Sequence, residues 1–191
     1  MKKPEIVVIG VSAGGMQALQ KLLPDLPQNF SIPVVIVQHV HASQSGYYIQ
    51  HFNSLCKMAV AEAEPGISPQ PGCIYFAPPN YHLLIEPDRH FSLSIDQRVH
   101  YARPSIDVLF MSAADAYDAS CLGIILTEAN SDGAEGLETI LKAGGRGMIQ
   151  DPREADFPAM PLAAQKACPA APVLPLHKIK DTLLHIPRSK K

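Results

Sequence analysis

Short runs of aliphatic, largely β-branched residues recur along the chain, and longer amphipathic segments separate most of them; this alternation restricts the fold more than any single motif. The runs EIVVI (5–9), PVVIVQ (33–38), MAVAEA (58–63), CLGIILT (121–127) and GGRGMIQ (144–150) are too short for helices and suit strands covered on both faces. Residues 16–23, 46–56, 105–117, 133–143 and 161–167 carry helical spacing between them, and 176–186 supplies a last amphipathic helix after the proline-spaced stretch PAAPVLP. In 105–117 the apolar face is Ile106, Leu109, Phe110 and Ala113, and Pro104 is placed at the first helical position, where its missing N–H costs nothing. Between 65 and 95 the rhythm changes, because CIYFA, HLLIE and HFSLSI follow turn residues too closely for helical crossovers; they predict an antiparallel hairpin added to the sheet. The expected fold is α/β, a doubly wound, mostly parallel sheet with an antiparallel hairpin insertion in three α/β/α layers, forming a single domain over residues 1–191.

Charge excludes some partners. With 16 basic and 18 acidic side chains and a net charge of −2, the 191 residues hold no long run of either sign, so no nucleic acid partner and no anionic membrane surface is expected. The basic end at 188–191 reads as a solubilising tail. No stretch approaches the ~20 apolar residues that span a bilayer, the start lacks a cleavable signal pattern, and direct membrane insertion is not expected. Cys56, Cys73, Cys121 and Cys168 are widely spaced and form no C-x-x-C pair, which suits packed, reduced thiols in a cytoplasmic protein better than a disulfide framework or a metal site.

Ligands of such sheets bind beyond the carboxyl ends of the strands. Three polar residues stand there. Ser12, in GVSAGG, fits the G-x-S-x-G elbow that lifts a serine hydroxyl out of a tight strand-to-helix turn, although a serine beside glycines is equally a helix cap or an anion site. A dinucleotide site fits poorly, because Ser12 replaces the second glycine and the next strand ends in Gln38-His39 rather than an acid. An α/β-hydrolase would place its serine later and would need His177 or His185 as base. His39 ends the second strand, within reach of Ser12 as a base or simply meeting water; His41 lies further into the loop. Asp132, after CLGIILT, either orients the base by accepting its Nδ1–H or begins a capping box with Glu135.

With IGVSAGG, VQHVH, HYARPSIDVLF, GIILTEANSDGAEGL and DFPAMPLAA in view, the chain resembles the catalytic domain of the chemotaxis protein-glutamate methylesterases, over nearly its whole length. The resemblance aligns Ser12 with the nucleophile, His39 with the base and Asp132 with the acid that orients it. It also aligns Arg103, Pro104 and Ser105 with an R-P-S segment, and Met160 and Pro161 with a later M-P. It implies hydrolysis of glutamate γ-methyl esters on chemoreceptor signalling helices, with glutamine deamidation as a related activity, and no cofactor or metal. Methylated receptor helices would be the partners, together with a separate methyltransferase or receiver protein. Backbone N–H groups of the Ser12 turn and the 128–132 loop, those of Ala13 and Ala129 among them, are the available oxyanion donors. Arg103 is a candidate substrate-orienting group and Met160 a packing residue near the pocket.

Two departures stand out. Glu128, Ala129 and Asn130 replace the family's G-M-G, removing two glycines and adding a carboxylate that could point to solvent, pair with a charged substrate or raise the His39 pKa. The chain also begins at the first catalytic strand, so no attached receiver domain is expected. Three functions compete at this level: a stand-alone serine methylesterase, a binding or signalling module of the same fold, and a serine hydrolase or deamidase with another substrate.

Overall fold

The protein is described here by a computed structural model covering residues 2–39 and 45–186. His41 lies outside the described residues. Strands β1 (Ile6–Val11), β2 (Val34–Gln38), β3 (Ala59–Glu62), β4 (Cys73–Phe76), β7 (Cys121–Ile125), β8 (Arg146–Gln150) and β9 (Val173–Leu174) form one sheet. Its order is β3-β4-β2-β1-β7-β8-β9, and every pairing is parallel. Strands β5 (His82–Ile85) and β6 (Phe91–Ser94) make a separate antiparallel hairpin.

Alternate side chains of the central strands enter two cores. Val7, Ile9, Val34 and Ile36 meet helices α1 (Gly15–Leu22), α2 (Ser45–Leu55) and α6 (Leu176–Leu184) through Leu19, Phe52 and Ile179. Ile6, Val8, Val35 and Val37 meet α3 (Ile106–Tyr117), α4 (Ala134–Lys142), α5 (Ala159–Ala167) and the hairpin through Phe110, Leu137, Met160 and Leu83. The three-layer expectation therefore holds, with the hairpin lying over α3 rather than extending the sheet.

Several local readings need correction. CIYFA is not part of the antiparallel segment; it enters the main sheet as β4, parallel to both β3 and β2. PAAPVLP contains β9, a two-residue edge strand beside β8, too short to register as a strand against its prolines. Helix α5 starts at Ala159, ahead of Pro161. Pro104 does not occupy the first helical position of α3, because Ser105 is the N-cap, extended at φ −108° and ψ 140°.

Helices α3 and α4 approach closely at Gly136. A Cβ there would lie 2.6 Å from Phe110 Cβ and 3.0 Å from Asp107 Cα. Neither atom is the loose end of a side chain. Gly136→Ala therefore costs about 1–3 kcal/mol of overpacking, more than the ~1 kcal/mol by which alanine favours the helix. A lower midpoint in urea is the expected result, and an unchanged midpoint would show that α3 and α4 can separate freely.

Candidate active site

Ser12 and His39 continue two hydrogen-bonded neighbours. Val11 pairs with Gln38 at the ends of β1 and β2, so the next residue on each strand emerges on the same side of the sheet end. The His39 N–H donates to Val11 O at 3.4 Å, and Gln38 Nε2 donates to the carbonyl of Ser12 at 2.9 Å. Ser12 does not cap α1: Gly14 is the N-cap, left-handed at φ 75°, with no side-chain cap, and it brings the chain through the sharp turn after Ser12. The cap reading of Ser12 is thereby removed. Ser12, His39, Glu128 and Asn130 line one cleft of about 520 Å³, with Arg103 on its wall. A larger cavity of about 890 Å³ around Arg146 and His185 contains none of these groups, and its mostly apolar lining offers no comparable constellation.

Asp132 is fully buried and serves a different helix from the one predicted. Gly133 caps α4 and no side chain assists it, so the Asp132–Glu135 capping box does not form. Instead the carboxylate closes the start of α3. Its Oδ1 accepts from Ser105 Oγ at 2.8 Å and from the Asp107 N–H at 3.0 Å, and its Oδ2 accepts from the Ile106 N–H at 2.7 Å. These orphan donors of a helix N-terminus favour an anion. Burial opposes ionisation, yet the contacts with His39, Ile106, Asp107 and Ser105 hold the Asp132 carboxyl below the usual carboxylate range. Buried next to it, Asp107 is pushed up to about 6, chiefly by desolvation.

The hairpin helps to place this helix end. His82, at the start of β5, accepts the Ser105 N–H on Nδ1 at 3.2 Å, and its Nε2 donates to Gln97 O at 3.0 Å. Accepting on one nitrogen fixes the proton on the other. His82 is thus a positioning residue that sequence reasoning missed, since nothing in HLLIE links it to the 105 segment 23 residues away.

His39 lies between two carboxylates. Its Nε2 is 3.3 Å from Asp132 Oδ2, an ion-pair contact not aligned as a hydrogen bond, and its Nδ1 is 3.1 Å from Glu128 Oε2. The expected pairing of Asp132 with Nδ1 is corrected, because Glu128 takes that nitrogen. Burial lowers the pKa of His39, but the contacts with Asp132 and then Glu128 outweigh it and bring the value to about 9.

Glu128 itself is buried. Its Oε1 accepts from the Ala129 N–H at 2.8 Å and the Asn130 N–H at 3.2 Å, so the loop amides expected to face the cleft are already engaged. Asn130 Oδ1 in turn accepts the Asp132 N–H at 2.7 Å. None of residues 128–130 adopts positive φ, so the loss of glycine there is tolerated by the backbone itself.

The remaining candidates divide. Met160 is fully buried, and its N–H donates to Glu128 O at 3.1 Å, while the Glu128 N–H donates to Phe157 O at 3.0 Å; Met160 packs and anchors the loop from behind. Thr127 Oγ1 joins both sides by donating to Ala13 O at 2.8 Å and accepting the Phe157 N–H at 2.9 Å. Arg103 Nη1 donates to Ile95 O at 2.6 Å and Asp96 O at 3.0 Å, which ties the end of β6 to the segment before α3. All four cysteines are free. Among the described residues no cluster of three or more His, Cys, Asp or Glu is arranged to hold a metal, and no helix is long and apolar enough to cross a membrane.

A nucleophile candidate, a basic ring and a buried acid at the ends of β1, β2 and β7 give a physical frame for comparison with known proteins. A Leptospira interrogans protein provisionally named protein-glutamate methylesterase/protein-glutamine glutaminase is 47% identical over 95% of this chain and 94% of its own length. The protein-glutamate methylesterase/protein-glutamine glutaminase of Aliivibrio fischeri is 38% identical over 96% of this chain, which spans only 50% of that relative. The crystal structure of the Thermotoga maritima CheB methylesterase catalytic domain superposes with a TM-score of 0.91 at 31% identity, covering 97% of this chain and 100% of that one. The family model described as CheB methylesterase matches residues 7–183, and the chain belongs to the CheB methylesterase family.

Proposed function

We propose that this chain is a protein-glutamate methylesterase, with glutamine deamidation as a second activity, acting through Ser12, His39 and Asp132. The observation that carries the reading is the pairing of Ser12 and His39 at the ends of adjacent parallel strands, with Asp132 behind the ring. Ser12 Oγ attacks the γ-carbonyl of a glutamyl methyl ester while His39 takes its proton. The tetrahedral adduct collapses as His39 returns a proton to methoxide, releasing methanol and leaving an acyl-enzyme. Water, deprotonated by His39, then attacks the acyl carbon, and Ser12 regains its proton as glutamate departs. Asp132, anchored by three donors from the start of α3, keeps the ring oriented and stabilises its charged form in both halves of the reaction. The amides of Ala13 and Ala129 are the donors assigned to the oxyanion, and Arg103 orients the substrate from the cleft wall.

Methylated cytoplasmic helices of chemoreceptors are the substrates in this reading. A methyltransferase supplies the ester, and a separate receiver protein is the natural regulatory partner. The names of the family and of the relatives support a methyl-esterified protein glutamate as substrate; the receptor helices, the methyltransferase and the receiver protein rest on the sequence resemblance alone.

Because the base must be neutral to accept a proton, the His39 pKa of about 9 has a direct kinetic consequence. The kcat/KM for methanol release from methylated receptor membranes, which reports the free enzyme, is expected to rise about tenfold per pH unit below that value, then level off. A profile already flat from neutral pH upward would contradict His39 as the base in this environment. Complete absence of methanol and ammonia from folded protein, at any pH, would favour the binding-module reading.

A further inference from the structure

Glu128 makes the contacts that the product of the proposed reaction would make. The product is a γ-carboxylate, and so is Glu128. One of its oxygens holds the Ala129 and Asn130 amides, and the other meets His39 Nδ1. A product carboxylate leaving Ser12 would place one oxygen on the oxyanion donors and turn the other towards the base. The Glu128 main chain is pinned on both sides, by Phe157 O and by the Met160 N–H, so its side chain is the part able to leave.

Resting on the methylesterase reading, we propose that Glu128 is an internal product mimic that closes the resting site. The substrate carbonyl reaches the loop amides, and His39 becomes free to serve Ser12, only when the Glu128 carboxylate swings out. The exchange forms no covalent bond. One carboxylate leaves two amide donors and a ring N–H, and the ester carbonyl oxygen takes its place on the amides. Arg98 lines the same cleft and offers a cationic partner to the displaced carboxylate.

The groups that govern His39 are few. Asp132 and Glu128 face its two ring nitrogens, and Tyr48, Arg98, His100, Tyr101 and Arg103 are the other titratable or charged side chains on the cleft wall. With Glu128 in place the ring is a cation between two anions, unable to accept a proton from Ser12. With Glu128 displaced, one anion remains, the ring loses its proton more easily, and Nδ1 is exposed to the cleft.

The test uses the full chain, a fluorophosphonate that labels activated serines, and NMR titration of His39. Glu128→Ala is expected to lower the pH at which His39 titrates and to speed labelling of Ser12 at neutral pH by about tenfold or more, since each pKa unit is a tenfold change in neutral imidazole. Added sodium acetate should then slow labelling of the alanine variant, by filling the vacated place, and leave the native protein unaffected. Glu128→Gln, which keeps the bulk and can still accept the amides, should lower the titration as well but speed labelling less; it serves if the alanine variant fails to fold. Labelling of native and variant protein at equal rates would leave Ser12 as nucleophile and overturn the gate. Slower labelling of the variant would also overturn it and make Glu128 a supporting group. If Ser12 is labelled in neither protein, the nucleophile reading falls and the gate falls with it.

Discussion

Ser12→Ala is expected to lower kcat for methyl-ester hydrolysis on the order of 10⁵-fold or more while the protein unfolds at the same temperature as the native chain. Members of a nucleophile–base–acid unit act together, so deleting the atom that forms the covalent bond removes nearly all that the unit supplies. The residue that remains can still be accommodated. Ser12 contributes to the fold through its backbone, whose N–H donates to Thr127 O at 3.0 Å and whose carbonyl accepts from the Gly15 N–H at 2.8 Å and from Gln38. None of these contacts depends on the hydroxyl. A kinetic assay beside a thermal melt checks both halves, and a variant with a lowered melting temperature and residual activity in proportion to folded protein would contradict the assignment.

Asp132→Ala should fail on both counts. It removes a fully buried carboxylate from Ser105 Oγ and from the Ile106 and Asp107 amides, and it leaves the His39 ring with Glu128 alone. Breaking a buried charge cluster on one side costs about 3–5 kcal/mol, because the groups left behind keep their desolvation penalty without a partner. Loss of the orienting acid should lower kcat on the order of 10⁴-fold in addition. The pH dependence of stability carries a separate signature. The His39 pKa is raised in the folded state, so its contribution is complete below the unfolded value of 6.5 and is lost as the pH rises through about 9. The Asp132 pKa is lowered, so its contribution is present above 3.8 and is lost as the pH falls. Native protein should therefore lose stability between pH 6.5 and 9, as measured by urea unfolding. In Asp132→Ala that loss should shrink, and an equally steep loss in the variant would mean that His39 is not coupled to Asp132.

The sequence makes the architecture legible where apolar runs are long enough to be buried on both faces. β1, β2 and β7 emerge directly from EIVVI, PVVIVQ and CLGIILT, and with them the placement of Ser12 and His39 at neighbouring strand ends. Legibility fails where an element is very short or its partner is distant. β9 is two residues between prolines, and β4 lies between turn-rich segments that resemble a hairpin. The site shows the same division. Local pattern marks Asp132 as important but points it at its own helix, whereas the carboxylate closes α3, whose first residues lie 25 to 27 positions earlier. Glu128 stands out in the sequence as a departure, yet no rule of spacing says whether a side chain at that place turns to solvent or folds back on its own amides. That outcome depends on His39, brought in from 89 residues away by the pairing of β1 with both β2 and β7.

Covalent chemistry at Ser12 is open to direct trapping of the acyl-enzyme. Native protein mixed with a methyl-esterified receptor-helix peptide, quenched in acid during turnover and digested, should yield the peptide containing Ser12 carrying the mass of the acyl fragment. The adduct should disappear in Ser12→Ala and fail to accumulate in His39→Gln. Methanol release at the native rate with no adduct on Ser12, or release undiminished in Ser12→Ala, would rule out Ser12 as the nucleophile.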